Sequence, residues 1–259
     1  MNNTALVTGA SSGIGLELAR LFAGDGHDLV LVARSEGRLR EIGEQLETAH
    51  GITATVVASD LSKPNAARDL VEALRAALIE IDVLVNNAGF GLSGAFIDND
   101  PRTQLDMLQV NVVALTELTR LLLPPMVARR SGRILNVAST AAFAPGPLAA
   151  VYGATNAYVL SFSEAIGEEL RHSGVTVTAL CPGPTQSGFS AAAGAGSTRL
   201  YGKQKPMSSA DVARAGHEGL RSGRRVVITG LRNKLLVQSA RMSPRRMVTM
   251  VGRRLWESA

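Results

Sequence analysis

The stretch TGASSGIG, Thr8–Gly15, follows the short apolar run TALV and leads into a segment with apolar residues at helical spacing. Gly9, Gly13 and Gly15 let a backbone turn tightly and approach a pyrophosphate closely. The free N–H groups of a helix N-terminus favour such an anion. A glycine-rich turn alone is common as plain structure. Its place between a strand and a helix points several-fold more strongly to a bound dinucleotide.

Outward from this turn the chain alternates. TALVTG, DLVLVAR, TATVVASD, IDVLVNNAG, GRILNVAS, VTVTALCPG and RRVVITG each predict a buried parallel strand. Helical spacing covers Gly15–Gly24, Glu36–His50, Pro64–Leu78, Arg102–Arg130, Val151–Ser173 and Ala210–Ser222. The pattern predicts an α/β fold, one doubly wound parallel sheet of about seven strands with helices on both faces. A single domain over residues 1–259 is expected. Ser187–Ser209, rich in Ala, Gly and Ser, has little to bury; its place after a strand's C-terminal end predicts a substrate lid.

Composition bounds the function. At 259 residues and 46% hydrophobic, the chain can bury a full core. One cysteine, Cys181, excludes an internal disulfide and fits a reducing compartment. No apolar run approaches the roughly 18–20 residues that span a bilayer, and MNNTALVTG has no charged-then-apolar leader. A cytoplasmic protein is expected. Residues 231–259 hold seven Lys or Arg against Glu257 alone, a net +6 in a chain of net +5, so the body is close to neutral. No basic groove is interleaved with aromatics, which argues against nucleic acid as a partner. His27, His50, His172, His217 and Cys181 show no ligand spacing, so no metal is expected.

Four further features sit at predicted strand ends or on helices. Strand two ends in Ala33-Arg34, with Arg38 a turn later, where a fold preferring NAD would place an acid for the ribose hydroxyl. A guanidinium there suits the extra phosphate of NADP. NNAG, Asn86–Gly89, offers small residues beside a cofactor. Asn111 is polar within an apolar helix, either a satisfied core amide or a site group. Ser139 ends strand five, 13 residues before Tyr152, and Asn156 follows Tyr152 by one helical turn.

Together TGASSGIG, NNAG, Asn111, Ser139 and Tyr152 resemble the short-chain dehydrogenase/reductase family, in its order and spacing, over residues 4–230. CPGP with Ser187 resembles that family's nicotinamide-side segment. The resemblance implies a Rossmann-type fold and hydride transfer between NADP(H), or less readily NAD(H), and a carbonyl or alcohol. It implies Tyr152 as proton donor and acceptor, Ser139 as holder of the substrate oxygen, and Asn111 as organiser of a relay water. Implied cofactor contacts are Gly9, Ser11, Ser12, Gly13, Ile14, Gly15, Arg34, Asp60, Leu61, Asn87, Ala88, Gly89, Tyr152, Asn156, Pro182, Gly183, Thr185 and Ser187. Asp60 would bind the adenine amino group, and the Thr185 backbone would position the carboxamide.

Asn156 departs from the family, which carries lysine there. An amide keeps a hydrogen bond but supplies no charge. A unit charge ~4 Å away at an effective dielectric of ~20 is worth about 4 kcal/mol, or about a thousandfold in acidity. Oxidation needs a phenolate and should suffer most; reduction uses the neutral phenol. Two readings follow: an impaired NADP(H) oxidoreductase, or a catalytically silent NADP-binding or assembly protein.

Phe90, Leu92, Phe96, Ala141, Ala142, Phe143, Phe189, Leu200 and Tyr201 are candidate walls for a hydrophobic carbonyl: a 3-oxoacyl chain, a steroid-like ketone or an aromatic ketone. The resemblance implies homodimers or homotetramers built on the helices Arg102–Arg130 and Val151–Ser173. After Ser243-Pro244, helical spacing sets Met247, Val248, Met250, Val251 and Leu255 on one side, with Arg246, Thr249 and Arg253 opposite. Such a basic helix docks on protein, or lies peripherally on an anionic membrane, the second being the minority reading.

Overall fold

A computed structural model describes residues 2–189, 193–196, 198–199 and 206–257. The strands are β1 (Thr4–Thr8), β2 (Asp28–Ala33), β3 (Ala54–Ala58), β4 (Val83–Asn86), β5 (Gly132–Val137), β6 (Val175–Cys181), the two-residue β7 (Thr185–Gln186) and β8 (Met207–Ser208), and β9 (Val226–Ile228). Seven form one sheet in the order β3-β2-β1-β4-β5-β6-β9, every pair parallel. All seven predicted strands are in it.

The strands are apolar on both sides because both sides are covered, and successive side chains alternate between them. Ala5, Val7, Leu29 and Leu31 face α1 (Gly13–Gly24), α2 (Glu36–His50) and, later in the chain, the helix Ser209–Arg221. Leu6, Val30, Val32 and Leu84 face α3 (Ala66–Ala76) and the long helical run after β4. That run is α4 (Pro101–Leu108), a π-helical turn (Gln109–Ala114) and α5 (Leu115–Ala128). Then come α6 (Ala150–Glu169), α7 (Ser209–Arg221), α8 (Leu231–Met242) and α9 (Arg245–Trp256).

Two sequence expectations bear on this part of the fold. Pro101–Ala128 is one helical stretch of 28 residues with mean hydropathy 1.3 over its best window, long and apolar enough by composition to cross a membrane. No uninterrupted apolar run of that length is present, because Arg, Glu and Gln interrupt it while leaving the average high. In the fold, Leu118, Leu122 and Met126 bury its inner face against the sheet, and Met107 is buried as well. The second concerns the predicted lid, which is described only in part. Residues 190–192, 197 and 200–205, including Leu200 and Tyr201, lie outside the described residues. The rest is anchored: Ala193, Ala195 and Thr198 are buried, and the Ala193 carbonyl accepts from the Ser93 N–H and hydroxyl, both at 3.0 Å. Strands β7 and β8 pair its two ends.

A buried polar ladder ties the sheet to the helices beneath the site. The Asn86 amide donates to Asn136 Oδ1 at 2.9 Å and to the Thr119 hydroxyl of α5 at 3.1 Å. Asn136 in turn donates to the Ser163 hydroxyl of α6 at 2.9 Å. A buried amide left unpaired costs about 1–3 kcal/mol, so these bonds fix where α5 and α6 sit over β4 and β5.

Candidate active site

Strand order reverses at β1, which lies between β2 and β4, and ligands of such sheets bind at the carboxyl ends of the strands beside that switch. The turn after β1 closes the crevice. Gly9 has φ +67° and Gly13 +56°, left-handed values that favour glycine. A Cβ on Gly15 would collide with the Gly9 carbonyl and the Asn87 amide. Asn87 Nδ2 donates to the carbonyls of Thr8 at 2.9 Å and Gly9 at 3.2 Å, so the predicted cofactor residue first holds the glycine turn in shape. The Thr8 hydroxyl accepts from the N–H groups of Asn87 and Ala88, both at 3.0 Å, locking the ends of β1 and β4 together. Ser12 precedes α1 without making a capping bond, and no acidic residue stands in the first turn. The first-turn N–H groups, from Gly13, Ile14 and Gly15, are therefore open to an anion. Ser11 lies in the turn that leads into α1. Gly89 approaches Asn111, where an added Cβ would stand 3.1 Å from Oδ1.

At the end of β2 the Arg34 side chain is exposed and has no ion pair among the described residues, whereas Arg38 is held by Glu41 at 2.9 Å. Burial pushes the Asp60 carboxyl up, but hydrogen bonds from Ser62 and the charges of Lys63 and Arg34 outweigh it and hold the group below its usual value. Arg34 and Asp60 thus face the same region. Leu61 buries its side chain in the core and offers a ligand only its main chain.

Asn111 lies in the π-helical turn, a local widening frequent at functional sites. Its Nδ2 donates to the Phe90 carbonyl at 2.9 Å and the Thr155 hydroxyl at 3.2 Å, and its Oδ1 accepts from the Phe90 N–H at 3.1 Å. The amide is satisfied within the core, and Oδ1 accepts a single hydrogen bond among the described residues. Ser139 caps the 3-10 turn Thr140–Phe143, accepting from the Ala141 N–H at 3.1 Å, and donates weakly to the Pro182 carbonyl at 3.4 Å. Ser139 and Asn156 are the polar side chains that act on the Tyr152 phenol, and both favour its ionised form. Burial pushes the phenol above its ordinary value, and these two polar contacts offset that only in part. Asn156 is itself buried, its Nδ2 donating to the Tyr152 carbonyl at 2.8 Å.

Thr185 donates its hydroxyl to the Gly183 carbonyl at 2.9 Å, and the Ser187 hydroxyl accepts from the Phe189 N–H at 3.3 Å, which shapes the turn carrying Phe189 over the site. The Phe189 ring stands 5.3 Å from that of Tyr152. Cys181 beside Pro182 is inert: burial pushes its thiol up to about 12. Of the other expected walls, Leu92 and Phe96 line a small cleft with Met107 and Val151, while Ala142 and Phe143 pack on the cluster of Leu115 and Val159. Among the described residues no group of three His, Cys, Asp or Glu could hold a metal.

Two contributors came from the tail and were missed. Trp256, in α9, meets Tyr152 edge to face at 6.1 Å. Asn233, in α8, packs so closely on Gly183 that a Cβ there would collide with it. The face assignment of α9 also changes: Val248, Thr249, Gly252, Leu255 and Trp256 turn inward, and Met247, Met250 and Val251 turn outward with the arginines. An added Cβ on Gly252 would stand 2.7 Å from the Pro145 carbonyl, so glycine is what lets this helix settle on the loop before α6.

The fold and this cluster define a Rossmann-type oxidoreductase, and residues 3–197 match the family described as short chain dehydrogenase. The chain belongs to the short-chain dehydrogenase/reductase family. It is 37% identical to a very-long-chain 3-oxoacyl-CoA reductase of Laccaria bicolor, over 67% of this chain and 52% of that protein. Curated relatives are matched over 52% to 89% of their length, and the Laccaria reductase over about half. A short-chain dehydrogenase from Sphingobium yanoikuyae in complex with NADPH superposes with a TM-score of 0.83 at 33% identity, covering 93% of this chain and 94% of that one. One from Burkholderia phymatum in complex with NAD gives 0.80 at 26% identity, covering 92% of both.

Proposed function

We propose that the protein is an NADP(H)-dependent oxidoreductase that reduces a hydrophobic carbonyl to its alcohol and runs the reverse oxidation poorly at neutral pH. The observation that carries this reading is the Tyr152 phenol, with Ser139 and Asn156 as its polar neighbours and the rings of Phe189 and Trp256 beside its own. The open N-terminus of α1 would hold the pyrophosphate, Asp60 the adenine side, and the unpaired Arg34 the 2′-phosphate. A nicotinamide bound there supplies the hydride. Ser139 holds the substrate oxygen, Tyr152 gives it a proton, and the free lone pair of Asn111 orders a water that returns the proton to Tyr152.

Asn156 sets the direction. With no cation beside it among the described residues, a buried phenol stays neutral, the form reduction needs and oxidation does not. The apolar walls and the name of the Laccaria relative support a 3-oxoacyl, steroid-like or aromatic ketone as substrate. Leu105, Val113 and Tyr158, exposed on α4, the π-turn and α6, support assembly through those helices.

The test is NADPH consumption across a panel of 3-oxoacyl thioesters and bulky ketones, beside nicotinamide fluorescence with NADPH and NADH. Turnover with at least tenfold preference for NADPH is expected, and Arg34→Glu should erase the preference. Tight NADPH binding without turnover on any carbonyl would favour the second reading, a silent cofactor-binding protein, which the uncharged Asn156 supports.

A further inference from the structure

The C-terminal helices dock by one face and leave the other bare. Asn233 and Val237 anchor α8, and Trp256 and Gly252 anchor α9. On the outer face of α8, Leu231, Leu235 and Met242 recur at helical spacing, 72%, 63% and 80% exposed. On α9, Met247, Met250 and Val251 do the same, each more than half exposed. Seven of the fifteen large apolar side chains exposed among the described residues lie on these two helices.

Seven basic residues surround these stripes, and every one is exposed: Arg232 and Lys234 at the start of α8, Arg241 at its end, and the pairs Arg245–Arg246 and Arg253–Arg254. Arg253 pairs with Glu257 at 3.3 Å; the other six have no ion pair among the described residues. Isolated apolar residues on a surface need no explanation, but a band of them inside a net charge of +6 does.

We propose that this outer face of α8 and α9 seats the protein on an anionic lipid surface. Leu and Met side chains would enter the headgroup boundary while the arginines meet acidic headgroups. A second copy is a poorer occupant: a symmetric contact sets each patch against itself and brings arginines together. The inner face of α9 carries Trp256 against Tyr152, so a helix lying on lipid is also a wall of the site. The seating stands on exposure and charge and does not depend on catalysis.

The test is flotation of the full chain with vesicles of phosphatidylcholine alone or with about one-third phosphatidylglycerol. Two triple variants accompany it, Leu235→Ser/Met250→Ser/Val251→Ser and Arg245→Glu/Arg246→Glu/Arg254→Glu, all at exposed positions. The wild-type chain should partition at least tenfold better to anionic than to neutral vesicles. Each variant, and raised salt on the wild type, should cut that partition at least tenfold while thermal melting is retained. Should a variant melt early, the salt series on the wild type decides instead. A wild-type chain that stays with the dense fraction, or charge-reversed protein that floats as well as wild type, overturns the proposal. So does a wild-type oligomer that light scattering shows dissociated by the serine variant, since the face would then be covered by a second copy.

Discussion

The indole of Trp256 meets the ring of Tyr152 at 71°, centroids 6.1 Å apart, and so joins the last helix of the chain to the first turn of α6. Removing the indole opens that side of the phenol and forfeits an edge contact worth about 0.5–1.5 kcal/mol. Trp256→Ala should raise KM for bulky carbonyls about fivefold to tenfold with little change in kcat, because it removes binding rather than proton transfer. Steady-state kinetics on a large and a small ketone would separate this from general damage, which would lower kcat for both.

Asn156→Lys places a cation one helical turn from Tyr152. Alcohol oxidation should gain about tenfold or more near neutral pH, and its alkaline limb should move to lower pH, since a cation favours the phenolate that burial disfavours. Reduction should change less. Identical pH profiles of oxidation in the two proteins would refute the role given to this residue.

Gly15→Ala sets a methyl group against the Gly9 carbonyl and the Asn87 amide. Backbone cannot yield as a flexible side chain does, so the turn must distort. Loss of NADPH affinity of at least tenfold is expected, together with a stability loss of about 1–3 kcal/mol. Fluorescence titration and urea unfolding would report the two effects separately.

Asn136→Ala breaks the ladder between Asn86 and Ser163 at its centre. It leaves the Asn86 amide with Thr119 alone and should cost about 1–3 kcal/mol in urea unfolding. Asn136→Asp, which can still accept from Asn86 but charges a buried site, should be worse than alanine.

His27 and His217 both pack on the Phe22 ring, and burial, outweighing the pull of Asp25, lowers both below the usual value of 6.5. In the unfolded chain these imidazoles take up protons as pH falls through 6.5; in the fold they resist until lower pH. The unfolded state then holds more protons, so stability drops as pH falls below 6.5. Melting temperature should decline across that window, ahead of any carboxylate effect, and His217→Gln should flatten the decline.

The fold was legible because every strand is buried on both faces and so writes an unbroken apolar run between polar turns. Gly9, Gly13, Ser139 and Tyr152 were legible because each stands at a strand end or helix start, where local spacing fixes its place. Asn136 and Ser163 were not, since a lone polar residue in an apolar run does not name its partner 27 residues away. Trp256 was hidden differently. Its helix is amphipathic on either of two faces, and only the Gly252 contact with Pro145 decides which one turns inward.

Trp256 is also the only tryptophan in the chain. Ultraviolet emission from this protein is therefore emission from beside Tyr152, with no second fluorophore of its kind to subtract. A reduced nicotinamide lodged nearby would quench it by resonance transfer, and a ketone entering between the rings would shift its colour. The chain carries a built-in optical probe at the point where occupancy has to be watched, and unlabelled protein in a cuvette is enough to read it.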